Sequence, residues 1–371
     1  MSKKVPFFNY PWVYTQYEEE ILAKMKEVMN KGAFILQSEL EQFEGNLKKF
    51  LNVKYAYGVA DGTNALIIAL DAAGIGAGSE VIVTSHTYIA SAASIHYSGA
   101  TVVPVECGMD HMLDVASAAK AVTKKTKAIM PVQLNGRTCE MDQVRELSQK
   151  HNLRIIEDSA QALGSKFNGQ CAGTFGKAGT FSFYPAKVLG CFGDGGGVVT
   201  NDDEMGVKLA FLRDHGRNAT GEVVDWGTNS RLDNLQAAVL DVKLKYYMND
   251  IDRRRELAYL YDSELKSIPD LELPPSPDND SRHFDIYQNY EIVAEKRDEL
   301  KSFLTGSGIG TLIQFGGKAI HQHKELGFED ISLPYTEELY SKFIMLPMNT
   351  SLSNDDVFYV CSKVKEFYGV S

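Results

Sequence analysis

From about Tyr55 to about Thr200 the chain alternates short apolar runs with stretches whose apolar residues recur at helical spacing. The runs are VIVT at Val81–Thr84, AIMPVQL at Ala128–Leu134, LRIIED at Leu153–Asp158, FSFY at Phe181–Tyr184 and GVVT at Gly197–Thr200. Strands alternating with helices in this way predict an α/β fold with a mostly parallel sheet covered by helices. Such sheets bind ligands at the carboxyl ends of their strands, so polar residues there become the candidates for chemistry. Ahead of this region Glu18 to Asn30 reads as an amphipathic helix, with Ile21, Leu22, Met25, Val28 and Met29 on one face. Behind it a long helix is predicted from Leu232 to about Tyr261, followed by a proline-rich break from Pro269 to Pro277. A second α/β stretch then ends in a helix over Asn354–Phe367. The organisation expected is an N-terminal arm and helix over 1–30, a large domain over 31–245 and a smaller C-terminal α/β domain over 246–371.

Composition narrows the partners. The 371 residues are 44% hydrophobic and 23% charged, which suits a globular protein of two domains. Lys and Arg number 38 against 49 Asp and Glu, a net charge of −11, where a duplex-binding protein normally carries the opposite sign. An anionic small ligand then needs cations concentrated locally. Five cysteines, Cys107, Cys139, Cys171, Cys191 and Cys361, are odd in number and far apart, with no C-x-x-C pair. They predict neither a zinc knuckle nor a disulfide framework and fit a reducing cytosol. The aromatic, proline-broken start MSKKVPFFNYPWVY is not a secretory signal, and no apolar run approaches the roughly 18 residues of a membrane helix. The expectation is a soluble, cytoplasmic protein with neither nucleic acid nor membrane as partner.

Four local features carry candidate chemistry. DGTNAL, Asp61 to Leu66, is a glycine-containing turn opening a helix. The free N–H groups of such a start, with the Thr63 hydroxyl, suit a phosphate, while the plain alternative is an N-cap. In EDSAQALG an apolar strand ends in Asp158, and Gln161 follows three residues later. Asp158 is either a solvated strand end or a ligand contact; facing a pyridine nitrogen, it would keep that nitrogen protonated and the ring an electron sink. In FSFYPAKVLGCFGDGGG, Ser182 lies on the strand-like run, Pro185 breaks it, and Lys187 follows with Gly193 to Gly197 behind. A lysine in a tight apolar turn loses hydration, and its pKa falls towards the range where an amine attacks carbonyls. The alternative is a snorkelling surface lysine, against which the aromatic, Pro and Gly frame argues. Finally, WGTNSRLDNLQAA places Asn229 and Arg231 just before a helix, where Asp225 or Asn229 could also serve as plain caps.

This ordered set resembles the sugar aminotransferases of the DegT/DnrJ/EryC1/StrS family, which use pyridoxal phosphate on the fold-type I scaffold. The resemblance runs from about Gly32, at GAFILQSELEQFE, to about His321. It implies that Lys187 forms the internal aldimine and shuttles the proton between cofactor and substrate. By the same resemblance Asp158 holds the pyridine nitrogen, Gln161 meets the 3-hydroxyl, and Ser182 with Gly62 and Thr63 binds the phosphate. In VTSHTYIAS, Tyr88 aligns with the aromatic that stacks on the ring, with His86 as an alternative. Asn229 matches a residue sent across a homodimer interface to the partner's phosphate. Arg231 becomes a candidate for an amino-donor or substrate carboxylate, the donor being expected to be L-glutamate. One branch of the family has histidine in place of the lysine and dehydrates its substrate; Lys187 puts this chain with the aminotransferases.

The resemblance weakens in the substrate region. Where many relatives that use nucleotide sugars carry a segment like HYPxPLHLQ, this chain reads TLIQFGGKAIHQH, with Gly316, Gly317 and Lys318 ahead of His321. A loop resembling HLYGQ reads QLNGRT here and introduces Arg137. Two glycines before a lysine let the backbone approach a ligand and aim a compact cation at it, although a plain turn with an exposed lysine is the alternative. The combination resembles the branch that aminates carbon 8 of an oxidised 3-deoxy-manno-octulosonate for lipopolysaccharide, with Lys318, His321 and Arg137 as substrate contacts. The acceptor expected is therefore that sugar acid, ahead of a nucleotide-linked 3- or 4-keto-6-deoxyhexose. A non-catalytic regulatory relative and a lyase or dehydratase on the same scaffold are the alternatives of other classes.

Overall fold

The computed structural model describes residues 3–370. Seven strands form the central sheet: β1 (Tyr55–Val59), β2 (Glu80–Thr84), β3 (Thr101–Val105), β4 (Thr126–Met130), β5 (Arg154–Asp158), β6 (Ala178–Ser182) and β7 (Gly196–Thr200). Their order is β1-β7-β6-β5-β4-β2-β3, and β7 alone runs antiparallel to the others. The expected α/β sheet is present, with strand ends shifted from the apolar runs by a few residues. In AIMPVQL the strand stops at Met130 because Pro131 offers no N–H to continue the ladder. In FSFY it stops at Ser182, three residues before the Pro185 break.

Helix α1 (Glu18–Lys31) ends on Gly32 in the left-handed region, φ 63°. Helix α2 (Gly62–Ala72) follows β1, and α3 (Ile89–Tyr97) follows β2. The predicted long helix is α4 (Asn234–Leu265), and the last helix is α5 (Asn354–Tyr368). Three short strands, β8 (Leu271–Glu272), β9 (Tyr290–Ala294) and β10 (Phe343–Leu346), make a separate antiparallel sheet.

Two apolar cores share α4. Its Ala237, Leu240, Tyr247 and Ile251 pack with Phe43, Phe183 and Leu189 beneath the Lys187 turn. Its Leu257, Ala258, Tyr261 and Leu265 pack with Ile292, Leu346, Val357 and Val360. The boundary expected at residue 245 thus falls within one continuous helix, and we propose that the C-terminal unit begins where the cores change over, between Ile251 and Leu257. The arm contributes to that unit too: Val5 is buried in the second core, its N–H donating to Gly308 O at 2.9 Å while Gly310 N donates to Val5 O at 2.8 Å. Among the described residues no helix is long and apolar enough to cross a membrane, and all five cysteines are free thiols.

Candidate active site

The carboxyl edge of the sheet gathers the cofactor motifs. Asp61 caps α2, its carboxylate accepting from Asn64 N at 2.8 Å and Asn64 Nδ2 at 2.6 Å. The plain reading of that aspartate is therefore correct, while the Gly62 and Thr63 amides, first in the helix, have no carbonyl behind them. Ser182, the last residue of β6, lies against this helix start, so close that a Cβ on Gly62 would fall 2.9 Å from the Ser182 Cβ. From the other side a Cβ on Gly196 would sit 2.3 Å from the Asp61 carbonyl oxygen. The glycines of DGTNAL and GDGGG are thus explained together, since β7 enters the sheet through the space their missing side chains leave. Two open amides, a hydroxyl and a positive helix end form a cup suited to a phosphate.

Asp158 ends β5, buried. Ser91 Oγ on α3 donates to its Oδ2 at 2.7 Å, and Ala160 N donates to Oδ1 at 3.2 Å. Ser91 is in turn tied to Thr87 Oγ1 at 2.8 Å. Burial raises the Asp158 carboxyl above its ordinary value, opposed by these hydrogen bonds and by Lys187. The neighbouring Glu157 points to the opposite face, as strand alternation requires, and accepts from the amides of Gly173, Phe175 and Gly176. Of two adjacent acids, one shapes a loop and the other faces the site.

Lys187 lies in the turn after β6, its N–H donating to Tyr184 O at 2.8 Å. Burial depresses its pKa to about 8 despite the opposing pull of Asp158. An amine whose pKa is lowered by desolvation holds more of the neutral form that attacks a carbonyl. Gln161 is half-buried, its Oε1 accepting from Asn135 N at 2.8 Å and Asn289 Nδ2 at 3.3 Å. Tyr88 caps the start of α3 with 57% of its surface exposed, its ring 5.9 Å from that of Phe315.

Several expected site residues lie elsewhere. His86 has no exposed surface in the ligand-free chain; its ring is enclosed by Tyr340 at 5.3 Å and Phe343 at 5.6 Å, with Nε2 3.4 Å from Glu291. No face of its ring is open to a ligand, whereas Tyr88 is exposed. His321 is buried as well, with Nδ1 2.7 Å from Ser85 Oγ and Nε2 3.2 Å from Glu337. Nδ1 ties the C-terminal unit to the residue after β2 and Nε2 holds Glu337 within that unit, so both nitrogens are engaged in the ligand-free chain, where a substrate contact was expected. Arg137 is ion-paired with Asp285, and Arg231 with Asp214 at 2.9 Å. Arg137 is thus engaged by a carboxylate inside the fold, whereas Arg231 shares the single Asp214 carboxylate with Arg217 at 2.8 Å, two guanidiniums on one acid. Lys318 is exposed, following a turn in which Phe315, Gly316 and Gly317 have φ of 59°, 66° and 72°. Asn229 is exposed on the loop from Asp214, in which Trp226 is 94% exposed. Sequence reasoning passed over Ser91, Asn135, Gln288 and Asn289. A serine at an apolar helix start and a polar pair opening an apolar strand were the available signals.

A phosphate cup, a buried carboxylate at a strand end and an amine of lowered pKa thus converge on one edge of a mixed α/β sheet. The sequence profile of the DegT/DnrJ/EryC1/StrS aminotransferase family matches residues 15–365. The chain belongs to that family. It is 39% identical over 371 residues to a dTDP-3-amino-3,4,6-trideoxy-alpha-D-glucose transaminase of Streptomyces venezuelae, covering 99% of this chain and 97% of that one. It is 38% identical to a protein of Geobacillus stearothermophilus named a pleiotropic regulatory protein, covering 98% of each. Among solved structures, that of DesV from S. venezuelae in complex with a ketimine intermediate superposes with a TM-score of 0.95 at 38% identity, covering 100% of both chains. The protein is a pyridoxal phosphate-dependent sugar aminotransferase of fold type I. The preference for the octulosonate acid is not supported: the dTDP-sugar transaminase matches this chain along its length.

Proposed function

We propose that the acceptor is a nucleotide-linked 3- or 4-keto-sugar and that L-glutamate is the amino donor. The observation that carries this reading is the end-to-end similarity to the dTDP-sugar transaminase. Its structural support is Lys318, which is exposed and suits a diphosphate as a point charge, while Arg137, expected at a sugar acid's carboxylate, is paired with Asp285. Pyridoxal phosphate, when bound, supplies an electron sink for the bonds at the substrate carbon.

In this reading the chain's residues divide the work. Lys187 holds the cofactor and then moves a proton on and off the substrate carbon. Asp158 keeps a proton on the pyridine nitrogen. Ser182 and the Gly62 and Thr63 amides hold the phosphate, Gln161 meets the 3-hydroxyl, and Tyr88 lies against the ring. With glutamate and a panel of dTDP- and UDP-linked keto-hexoses, the loaded protein is expected to release 2-oxoglutarate and form the aminated nucleotide sugar. Amination of 8-oxidised 3-deoxy-manno-octulosonate alone would overturn the reading.

The same reading makes the protein a homodimer. Trp226, Val223 and Val224, at 94%, 71% and 52% exposure, stand on the loop that carries Asn229, and a second copy covering them would bring Asn229 to the partner's phosphate cup. Sedimentation at micromolar concentration is expected to give twice the chain mass of 41.1 kDa. Trp226→Asp should shift the protein towards monomer, and a wild-type monomer would remove Asn229 from the site.

A further inference from the structure

We infer that Gln288, from the C-terminal unit, is a positioning residue for Lys187, and that it makes the geometry of the amine depend on how the two units are seated. The inference rests on Lys187 being the catalytic amine. Gln288 Oε1 accepts from Val188 N at 2.9 Å, and its Nε2 donates to Ala186 O at 2.9 Å. One amide therefore grips the peptide groups on both sides of Lys187. Carboxamide O and N are matched to an acceptor and a donor in fixed order, which no apolar side chain of the same size can reproduce.

The segment that presents Gln288 is itself tightly held. Tyr287 adopts φ 50°, a region a bulky residue occupies only when its surroundings impose it. Arg254 of α4 donates to the carbonyls of Tyr287 at 2.9 Å, Gln288 at 3.1 Å and Met348 at 2.9 Å. On the other side the Asn135–Gly136 turn pairs with the segment, Ile286 N donating to Gly136 O at 2.9 Å. A Cβ at Gly136, where φ is 91°, would meet Gln288 N at 2.6 Å. The next residue, Asn289, donates to Asn135 Oδ1 at 2.9 Å and to Gln161. Two consecutive side chains of one segment thus hold the Lys187 turn and the Gln161 group.

The test uses the full-length protein, with and without cofactor, and the variants Gln288→Met and Gln288→Glu. Met removes both bonds at similar volume; Glu keeps the acceptor for Val188 N and loses the donor to Ala186 O. Amide exchange at Val188 is expected to accelerate at least tenfold in Gln288→Met, relative to a remote amide in β2, and to stay near wild type in Gln288→Glu. In the loaded protein, Gln288→Met is expected to lower kcat of the glutamate half-reaction about tenfold with KM within twofold. The pH at which the cofactor's visible band titrates should move. Unchanged exchange at Val188 in both variants, or a loss of melting temperature with the band titrating where it does in wild type, overturns the inference. If Gln288→Met does not fold, the exchange and band titration of Gln288→Glu decide it: a Val188 amide near wild type with a displaced titration supports the positioning role, and any other result overturns it. Exchange in cofactor-free protein reads the grip on Val188 even if Lys187 proves not to be the catalytic amine, in which case the visible band and turnover would be missing from wild type as well.

Discussion

Lys187→Ala is expected to fold, keep the phosphate cup and lose turnover by at least about 10⁴-fold, on the order of 5 kcal/mol of barrier. Both the covalent link to the cofactor and the proton transfer at the substrate carbon are assigned to this one amine, so no second group retains half of the function. The other buried lysine nearby, Lys243, is engaged by the carbonyl of Gly190, to which its Nζ donates. The lowered pKa gives an independent check on the cofactor-free protein. Burial puts Lys187 at about 8, below its ordinary 10.5, so between these values the unfolded chain binds more protons than the folded one. Stability therefore rises with pH across that window, and below it burial of the charged amine opposes folding by up to about 3 kcal/mol. Lys243, also lowered to about 8 by burial, adds a slope of the same sign. The difference between wild type and Lys187→Met in urea melts from pH 7.5 to 10 isolates Lys187. Equal slopes would mean that the amine is solvated in the folded protein.

Elements whose determinants are local could be read from the chain. The runs that became β2, β4, β5, β6 and β7 are apolar because both faces of the sheet are covered, and the order of the glycine turns against Asp158 and Lys187 pointed to the sheet edge where these residues meet. The cations of the substrate end could not be read, because a guanidinium's availability depends on a partner far away in sequence. Arg137 meets Asp285 across 148 residues, and a histidine that looked like a ligand, His321, meets Ser85 across 236. The same distance hid Gln288, whose grip on the Lys187 turn spans about 100 residues. The changeover between cores that we propose as the start of the C-terminal unit has no local mark, because α4 continues with good helix formers while its buried face passes from one core to the other.

Asp158→Asn is expected to lower turnover about 10³-fold, on the order of 4 kcal/mol, while the protein still folds and binds the cofactor phosphate. The carboxylate stands on a rigid strand end, its two oxygens held by Ser91 Oγ and Ala160 N, so it is pre-oriented rather than recruited. In the proposed role it would stabilise a proton on the pyridine nitrogen, which deepens the electron sink only while that charge pair is held in a site closed to water. Asparagine is nearly isosteric and can keep the bond from Ser91, yet it lacks the charge that makes the nitrogen basic. The loss should therefore appear in kcat of both half-reactions, with little change in cofactor affinity. Ser91→Ala provides the graded control. Without that hydroxyl the carboxyl keeps the Ala160 amide but loses a hydrogen bond that favours its ionised form, so its pKa should rise further and the rate should fall about tenfold, recovering towards alkaline pH. A recovery with pH in Ser91→Ala that is absent in Asp158→Asn would place the effect on ionisation of this carboxyl. A Ser91→Ala profile that follows Asp158→Asn at every pH would instead place it on packing at the end of β5.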